Sequence, residues 1–276
     1  MPSSGTPGQA DYIGPDIEQL YKASWQANPA LKWKPRQFFY QWDARGSDGN
    51  QINNETQHYV DQEYPGSWQE AYTISGSQLL LRVKRTAMLT AEQQAAVPND
   101  PNTPGVKFPY VSAMLTTYGR NDQGGFEQAG GYWEWRARLP TFKGSWGAIW
   151  VYSATGQEMD IEELYGVNPT QTTSAFHENN FQYNNGGPVE MGFDMGEQHH
   201  SYAMIWDTNA HMITKYVDGY KIREHPTSAN FDQYKQHLLL NVAVHPGVID
   251  ATGDAAIDAG EGLMEVDRVQ VYQFGA

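Results

Sequence analysis

Four carboxylates fall within six residues of the stretch Gly156-Gln-Glu-Met-Asp-Ile-Glu-Glu-Leu-Tyr-Gly166, namely Glu158, Asp160, Glu162 and Glu163. Met159, Ile161 and Leu164 interleave with them, so a period of two predicts a strand with one apolar and one acidic face. Like charges on one face repel, so this pattern does not stabilise a strand. The acids either keep a sheet edge from aggregating or perform chemistry. The chemistry that two carboxyl groups around one bond can perform is glycoside cleavage, with a third acid tuning their protonation.

The side of the strand on which each acid lies depends on whether the strand is regular. Strict alternation places Glu158, Asp160 and Glu162 on one face and turns Glu163 toward the apolar residues. One extra residue after Asp160, a β-bulge, brings Glu163 to the acidic face and Leu164 to the apolar face. We predict the bulge because an unpaired buried carboxylate is costly. Glu162 must then find its own outlet near the bulge.

Composition narrows the partners of the chain. The 276 residues carry a net charge of −14, which disfavours nucleic acid and anionic membranes as partners. The absence of cysteine excludes disulfides and cysteine-ligated metals, and no apolar run approaches the length of a membrane span. Aromatic residues make up 13 % of the chain, a high share for a globular domain, and aromatic residues beyond the needs of a core often line sugar-binding or interaction surfaces.

The acidic stretch resembles a known signature. Glu-x-Asp-x-x-Glu followed by an aromatic residue and Gly is similar to the catalytic strand of glycoside hydrolase family 16, in its bulged, laminarinase-like branch. The resemblance implies that Glu158 is the nucleophile, that Asp160 assists it, and that Glu163 is the acid/base. It also implies a retaining endo-hydrolase of a β-linked polysaccharide that needs no cofactor for catalysis.

Other segments resemble the same family in its order and extend the predicted site. Gly144-Ser-Trp-Gly-Ala-Ile-Trp-Val151 resembles the strand before the catalytic one, so Trp146 and Trp150 are predicted to face the cleft and stack on sugar rings. His177 ends the strand expected on the other side of the catalytic strand, where the family often has a cleft histidine. A structural role is the competing interpretation for each of these side chains.

Two further segments supply polar candidates. Asn53-Asn-Glu-Thr-Gln-His-Tyr-Val60 resembles the family segment that borders the donor side of the cleft, where Asn53 and Glu55 suit hydroxyl recognition. Arg136 lies on an alternating strand, and we predict that it pairs with Glu134 to support the catalytic strand and the substrate.

The resemblance also implies a structural calcium ion. The terminal segment Met264-Glu-Val-Asp-Arg-Val-Gln-Val-Tyr272 is similar to a family segment whose Asp often binds calcium together with backbone carbonyls. Asp267 is therefore the predicted metal ligand, with the carbonyl of Gly76 as a second candidate.

The fold follows from pattern and resemblance together. Many short alternating strands with turn signals, such as Asp218-Gly219, predict an all-β sandwich. The resemblance implies a jelly roll with one concave sheet that bears the cleft. Residues 1–11 are rich in Pro, Gly and Ser and are predicted to be disordered. Residues 12–276 are predicted to form a single catalytic domain, secreted and monomeric, whose leader does not appear in this sequence.

The residues leave the exact activity open. A transglycosylase needs the same acids but excludes water from the intermediate, whereas a lectin-like sandwich needs the aromatic cleft without three aligned acids. The polysaccharide is also open among laminarin, mixed-linkage β-glucan, galactans and bacterial exopolysaccharides. Laminarin is the less favoured of these, because the chain has Ser153-Ala-Thr-Gly-Gln157 where laminarinases commonly have Trp-Pro.

Overall fold

The structure is a computed structural model that describes residues 25–27, 55–60, 71–75, 78–117, 126–178 and 183–274. Two predicted site residues, Asn53 and Gly76, lie outside these ranges, as do residues 1–11. Within the described ranges, no helix is long and apolar enough to cross a membrane.

Most of the described chain is β-strand. The strands are β1 (Trp25–Ala27), β2 (Gln57–Tyr59), β3 (Tyr72–Ser75), β4 (Gln78–Arg82), β5 (Lys84–Arg85), β6 (Tyr110–Ser112), β7 (Met114–Thr116), β8 (Gly131–Arg138), β9 (Ser145–Tyr152), β10 (Glu158–Tyr165), β11 (Gln171–Glu178), β12 (Tyr183–Glu190), β13 (His200–Asp207), β14 (Met212–Val217), β15 (Tyr220–Pro226), β16 (His237–Val244) and β17 (Leu263–Phe274). The α-helices are α1 (Ala91–Ala96) and α2 (Ala251–Asp258), and two 3₁₀ turns cover Thr86–Met88 and Phe231–Gln233.

The strands form two large antiparallel sheets, which confirms the predicted sandwich. The cleft sheet has the order β12-β11-β10-β9-β16-β7, with the acidic strand β10 near its middle. The outer sheet has the order β15-β14-β13-β8-β17-β4-β3, with β1 paired to β17. A small third sheet has the order β2-β6-β5. The order in each large sheet departs from the order along the chain, as a jelly-roll topology requires.

The core lies between the two large sheets. Alternation along β8 turns Trp133, Trp135 and Ala137 inward, and all three are fully buried. Met159 and Leu164 of β10 meet them from the cleft sheet and belong to the same hydrophobic cluster. The apolar face of the acidic strand is therefore held against the outer sheet, which leaves the other face for the cleft.

The predicted bulge is present in β10. Against β9, Asp160 pairs with Trp150 and Glu162 with Ile149, so Ile161 has no partner of its own. Against β11, the register shifts between Asp160 and Glu163. The extra residue rotates the strand, so that residues on both sides of it fall on the same face.

The turn at Asp218-Gly219 is confirmed as a hairpin connection between β14 and β15. Both residues have positive φ, 51° and 81°, as a two-residue turn of this type requires. The hairpin fixes the inward face of β14, which carries Lys215 into the sandwich.

Gly186 sets the distance between β12 and β11 beside the acidic strand. It pairs with Ala175, and a Cβ at Gly186 would lie 2.6 Å from the Cα of Ala175. We expect Gly186→Ala to push β12 away at a cost of about 1–3 kcal/mol, which is the usual range for overpacking. The melting temperature should fall by several degrees.

The matched control is Asn185→Ala, one position earlier in the same strand, which should leave the melting temperature close to that of the wild type. Equal melting temperatures for the Gly186 variant and the wild type would show that β12 moves freely at this point.

Candidate active site

The bulge brings three carboxylates together on the open face of the cleft sheet. Glu158 pairs in register with His177 of β11 and with Tyr152 of β9. One carboxylate oxygen of Glu158, one of Asp160 and one imidazole nitrogen of His177 all lie within 4.8 Å of one another. Nε2 of His177 lies 3.1 Å from Oδ2 of Asp160, within hydrogen-bond distance. His177 is therefore beside the acids, where it was predicted.

Two of the strand positions beside the acids carry alanine. Ala148 of β9 pairs with Glu163, and Ala175 of β11 pairs with Asp160. Alanine side chains leave room above the sheet at these two points, so a ring can approach the carboxyl groups from the cleft.

Burial and mutual repulsion control the protonation of the acids. Burial raises the pKa of Glu158 well above its usual value, and the charges of Asp160 and Glu163 and the hydrogen bond with Asp160 act in the same direction. Burial and the charge of Asp160 also raise the pKa of Glu163. The cluster therefore holds a proton to higher pH than free carboxyl groups do. A site of this kind can supply one carboxylate acceptor and one carboxylic acid donor.

Trp146 contacts the predicted acid/base directly. Its indole Nε1 donates a hydrogen bond to Oε1 of Glu163 at 2.9 Å. Its ring stacks on Tyr165, with ring centroids 5.0 Å apart, and His245 packs against both rings. The hydrogen bond favours the ionised carboxylate and so opposes the rise in the pKa of Glu163. Trp146 thus orients Glu163, a contact that the sequence did not indicate.

Trp150 lies on the cleft face of β9 but is only 5 % exposed. Its Nε1 donates to Oδ1 of Asn241 at 2.7 Å, and Nδ2 of Asn241 donates to the hydroxyl of Tyr59 at 3.0 Å. The Tyr59 hydroxyl in turn donates to Oε2 of Glu55 at 3.1 Å. The expectation that Trp150 offers a stacking surface is therefore wrong in this structure, because neighbouring side chains cover the indole. Glu55 contacts this network, half-buried at its end.

The structure does not bring Arg136 to the cleft. Arg136 lies on the outer sheet, on the face of β8 opposite to its buried tryptophans, and its Nε is 3.6 Å from Oδ2 of Asp267. Glu134 on the same face accepts hydrogen bonds from Arg268 and Ser201. The prediction that these two residues support the catalytic strand is wrong, because β8 belongs to the other sheet and turns them outward.

The surroundings of Asp267 do not fit a calcium ion. Oδ1 of Asp267 accepts a hydrogen bond from Nε2 of Gln78 at 2.6 Å. Nε of Arg136 is 3.6 Å from Oδ2 of Asp267, and Nε2 of His199 is 3.4 Å from Oδ1 of the same carboxylate. Calcium needs a shell of oxygen ligands, whereas the groups described around Asp267 include an arginine, an amide donor and an imidazole. Asp267 belongs to a polar cluster on the outer sheet.

Glu162 and Lys215 were not predicted as site residues. Glu162 is fully buried, and the hydroxyl of Thr172 donates to its Oε2. The bulge therefore buries a carboxylate after all, at position 162 instead of 163. Lys215 is also fully buried and reaches β10 from the outer sheet. Alternation with Ile213 and Val217 indicates an inward-facing Lys215, and this signal was available in the sequence.

The fold and the site define a class of protein. A bulged strand that aligns three acids on the open face of a jelly-roll sheet is the arrangement of a glycoside hydrolase. Residues 69–268 match the family Glycosyl hydrolases family 16. The chain belongs to this family.

Comparison with individual proteins supports the same placement. The endo-1,3-1,4-β-glycanase EglC of Rhizobium meliloti is 25 % identical over 248 residues, covering 88 % of this chain and 48 % of EglC. The β-glucanase of Rhodothermus marinus is 27 % identical, covering 60 % of this chain and 63 % of the relative. The chain thus spans about half the length of EglC.

Solved structures show the same fold. The laminarinase catalytic domain from Thermotoga maritima superimposes with a TM-score of 0.64 at 22 % identity, covering 91 % of this chain and 98 % of that one. The endo-β-1,3-glucanase from Pyrococcus furiosus gives a TM-score of 0.63 at 22 % identity, covering 92 % and 90 %.

The hydrogen bond between Trp146 and Glu163 yields a prediction. Trp146→Phe keeps an aromatic ring against Tyr165 but removes the indole donor, so the pKa of Glu163 should rise. A raised pKa keeps the acid protonated to higher pH. The basic limb of the pH profile of kcat/KM on a β-glucan should therefore move upward by about one pH unit.

Trp146→Ala is the companion variant, because it also removes the stacked ring and should raise KM in addition. A basic limb that stays in place in Trp146→Phe would assign Trp146 to packing alone.

Proposed function

We propose that the protein is a retaining endo-glycosidase that hydrolyses internal β-linkages of β-1,3- or mixed-linkage β-1,3-1,4-glucan. The observation that carries this proposal is the bulge in β10, which places Glu158, Asp160 and Glu163 on one open face. The named activities of the relatives, endo-1,3-1,4-β-glycanase and β-glucanase, support the choice of glucan.

The proposed first step is a displacement at the anomeric carbon. A carboxylate oxygen of Glu158 forms a bond to this carbon while the bond to the leaving oxygen breaks, and Glu163 gives its proton to that oxygen. The product is a glycosyl ester of Glu158, and Glu163 is left as a carboxylate. The raised pKa of Glu163 keeps a proton on this carboxyl above the pH at which a free glutamate ionises, as a proton donor requires.

The second step reverses these roles. Glu163 takes a proton from water, whose oxygen bonds to the anomeric carbon as the ester bond to Glu158 breaks. Two displacements at one carbon restore its configuration. Trp146 helps in this step, because its N–H stabilises the carboxylate form of Glu163.

Asp160 links the nucleophile to the neighbouring strand. It shares a hydrogen bond with Glu158, and its Oδ2 lies within hydrogen-bond distance of Nε2 of His177. Its charge raises the pKa of both glutamates, so Asp160 helps keep the proton on Glu163 until substrate arrives. We assign Asp160 the role of holding the nucleophile in place and of tuning the pair.

Digestion of a polysaccharide panel tests the reaction and its stereochemistry. Laminarin, mixed-linkage β-glucan, a galactan and a bacterial exopolysaccharide are incubated with the enzyme, and new reducing ends are measured. We expect activity on the two β-glucans, with the β-anomer appearing first in proton NMR spectra. Glu158→Gln should be inactive, because an amide forms no glycosyl ester.

An α-anomer as first product contradicts retention, and binding without new reducing ends indicates a lectin. Products longer than the substrate identify a transglycosylase.

Chemical rescue tests which of the adjacent glutamates is the acid/base. Glu163→Gln should lose nearly all activity on natural glucans but retain the first step on substrates with an acidic leaving group, which needs no proton. Added azide should then restore turnover and give a β-glycosyl azide, because a small anion replaces activated water. Glu162→Gln is the matched control, since Glu162 faces the core, and it should need no rescue. Azide rescue at position 162 instead of 163 would reverse the assignment.

A further inference from the structure

A buried lysine contacts the back of the catalytic strand. Lys215 lies on β14 of the outer sheet, between the inward-facing Ile213 and Val217, and is fully buried. Its Nζ crosses the interior and donates a hydrogen bond to the carbonyl oxygen of Asp160 at 2.7 Å. A second hydrogen bond goes to the carbonyl oxygen of Ala175. An ammonium group is thus held between the two sheets, directly beneath the catalytic cluster.

The two carbonyl groups lie where the bulge begins. Asp160 and Ala175 pair with each other, and the register between β10 and β11 shifts just after them. The hydroxyl of Ser174 also donates to the carbonyl of Asp160, at 3.2 Å. Side-chain donors from β14 and β11 therefore fix the backbone at the point that sets the direction of the Asp160 and Glu163 side chains.

We propose that Lys215 is a positioning residue for glycoside cleavage. Its buried positive charge holds the bulge of β10 from the inner side and balances the carboxylates on the cleft face of that strand. This inference rests on the proposed roles of Glu158 and Glu163. It adds a residue from the other sheet, outside the cleft, to those on which the reaction depends.

The charges around Lys215 define what it balances. The charged and titratable groups that face it are Asp160, Glu162 and Glu163 on β10 and Arg223 and His225 on β15. Tyr202 on β13 faces Glu162. Burial lowers the pKa of His225 to about 3, so this imidazole is neutral. Arg223 repels Lys215, and its Nη2 donates to the carbonyl of Gly187 at 3.0 Å.

The two buried groups, Lys215 and Glu162, carry different charges in mildly acidic solution. Burial lowers the pKa of Lys215 to about 7, so the amine is charged below that pH. Burial raises the pKa of Glu162 to about 8, so its carboxyl keeps a proton below that pH. The hydrogen bonds of Nζ of Lys215 go to backbone carbonyls, and Oε1 of Glu162 accepts no hydrogen bond from the described residues. In mildly acidic solution, Lys215 is therefore the charged member of the two.

Lys215→Met tests the proposal by removing the charge and both hydrogen bonds. Loss of a nearby cation should raise the pKa of Glu163. The basic limb of the kcat/KM profile, which reports the ionisation of Glu163, should therefore move to higher pH. We expect kcat to fall about tenfold or more at the wild-type optimum, with KM changed less.

A second readout needs no substrate. Titration of the Glu163 carboxyl carbon by NMR in ¹³C-glutamate-labelled protein, assigned with Glu163→Gln, should show a higher midpoint in Lys215→Met than in the wild type. Failure of the wild type on every glucan would contradict the proposed function, whereas an unmoved Glu163 midpoint would contradict the role of Lys215.

Two control variants separate this effect from a general loss of charge. Lys221→Met removes a lysine whose Nζ lies 3.5 Å from Glu224 in β15, and it should leave limbs and midpoint unchanged. Glu162→Gln removes no charge below about pH 8, and the charge of Glu162 raises the pKa of Glu163, so this variant should not move the basic limb to higher pH. A shift of equal size in either control would overturn the assignment to Lys215.

A folding defect in Lys215→Met is handled by a double variant. Glu162→Met with Lys215→Met replaces both buried polar groups by apolar ones, which often restores stability. The limb shift must persist in this variant, because it also lacks the cation. A kcat/KM profile of the double variant with its limbs at the wild-type pH values would assign Lys215 to stability alone. The same conclusion would follow if both lysine variants failed to fold while Glu162→Gln folded.

Discussion

The single extra residue in β10 is the constraint on which the site depends. In a regular strand the side-chain period is two, and Glu158 and Glu163, five positions apart, would point to opposite faces. The bulge between Asp160 and Glu163 adds one residue to the strand, so both side chains point to the same face and the strand continues unbroken. It also lets Leu164 return to the core, so that the strand remains anchored beyond the three aligned acids.

The same bulge has a consequence on the inner face, because some residue must occupy the position that Glu163 leaves. That residue is Glu162, a carboxyl group surrounded by the core. The hydroxyl of Thr172 donates a hydrogen bond to Oε2 of Glu162, and Lys215 lies in the same part of the interior. Acidic groups therefore lie on both faces of the strand at the bulge, but Glu162 keeps its proton below about pH 8, so the repulsion is between the carboxylates of the cleft face. A buried ammonium group on the backbone at that point offsets part of this repulsion and ties the cleft sheet to the outer sheet.

The sequence predicted those features that follow from local pattern. The bulge was predictable from the spacing of Glu158, Asp160 and Glu163 and from the cost of burying a carboxylate. The hairpin was predictable from Asp218-Gly219. Features that depend on which sheet a strand joins were not predictable from alternation. Alternation placed Arg136 opposite the buried tryptophans of β8, but it contained no information that β8 pairs with β13 and β17.

Trp150 shows the same limit within one strand. Trp146 and Trp150 share a face of β9, and period two assigns both to the cleft. Their surroundings differ because the small sheet supplies Tyr59 above Trp150, where Asn241 connects the two side chains through its amide. Among the described residues, Trp146 instead contacts Glu163 and Tyr165. Trp150 thus supports the wall of the cleft, while Trp146 contacts the carboxyl group of Glu163. The difference arises from the segment before residue 60, distant in sequence from both.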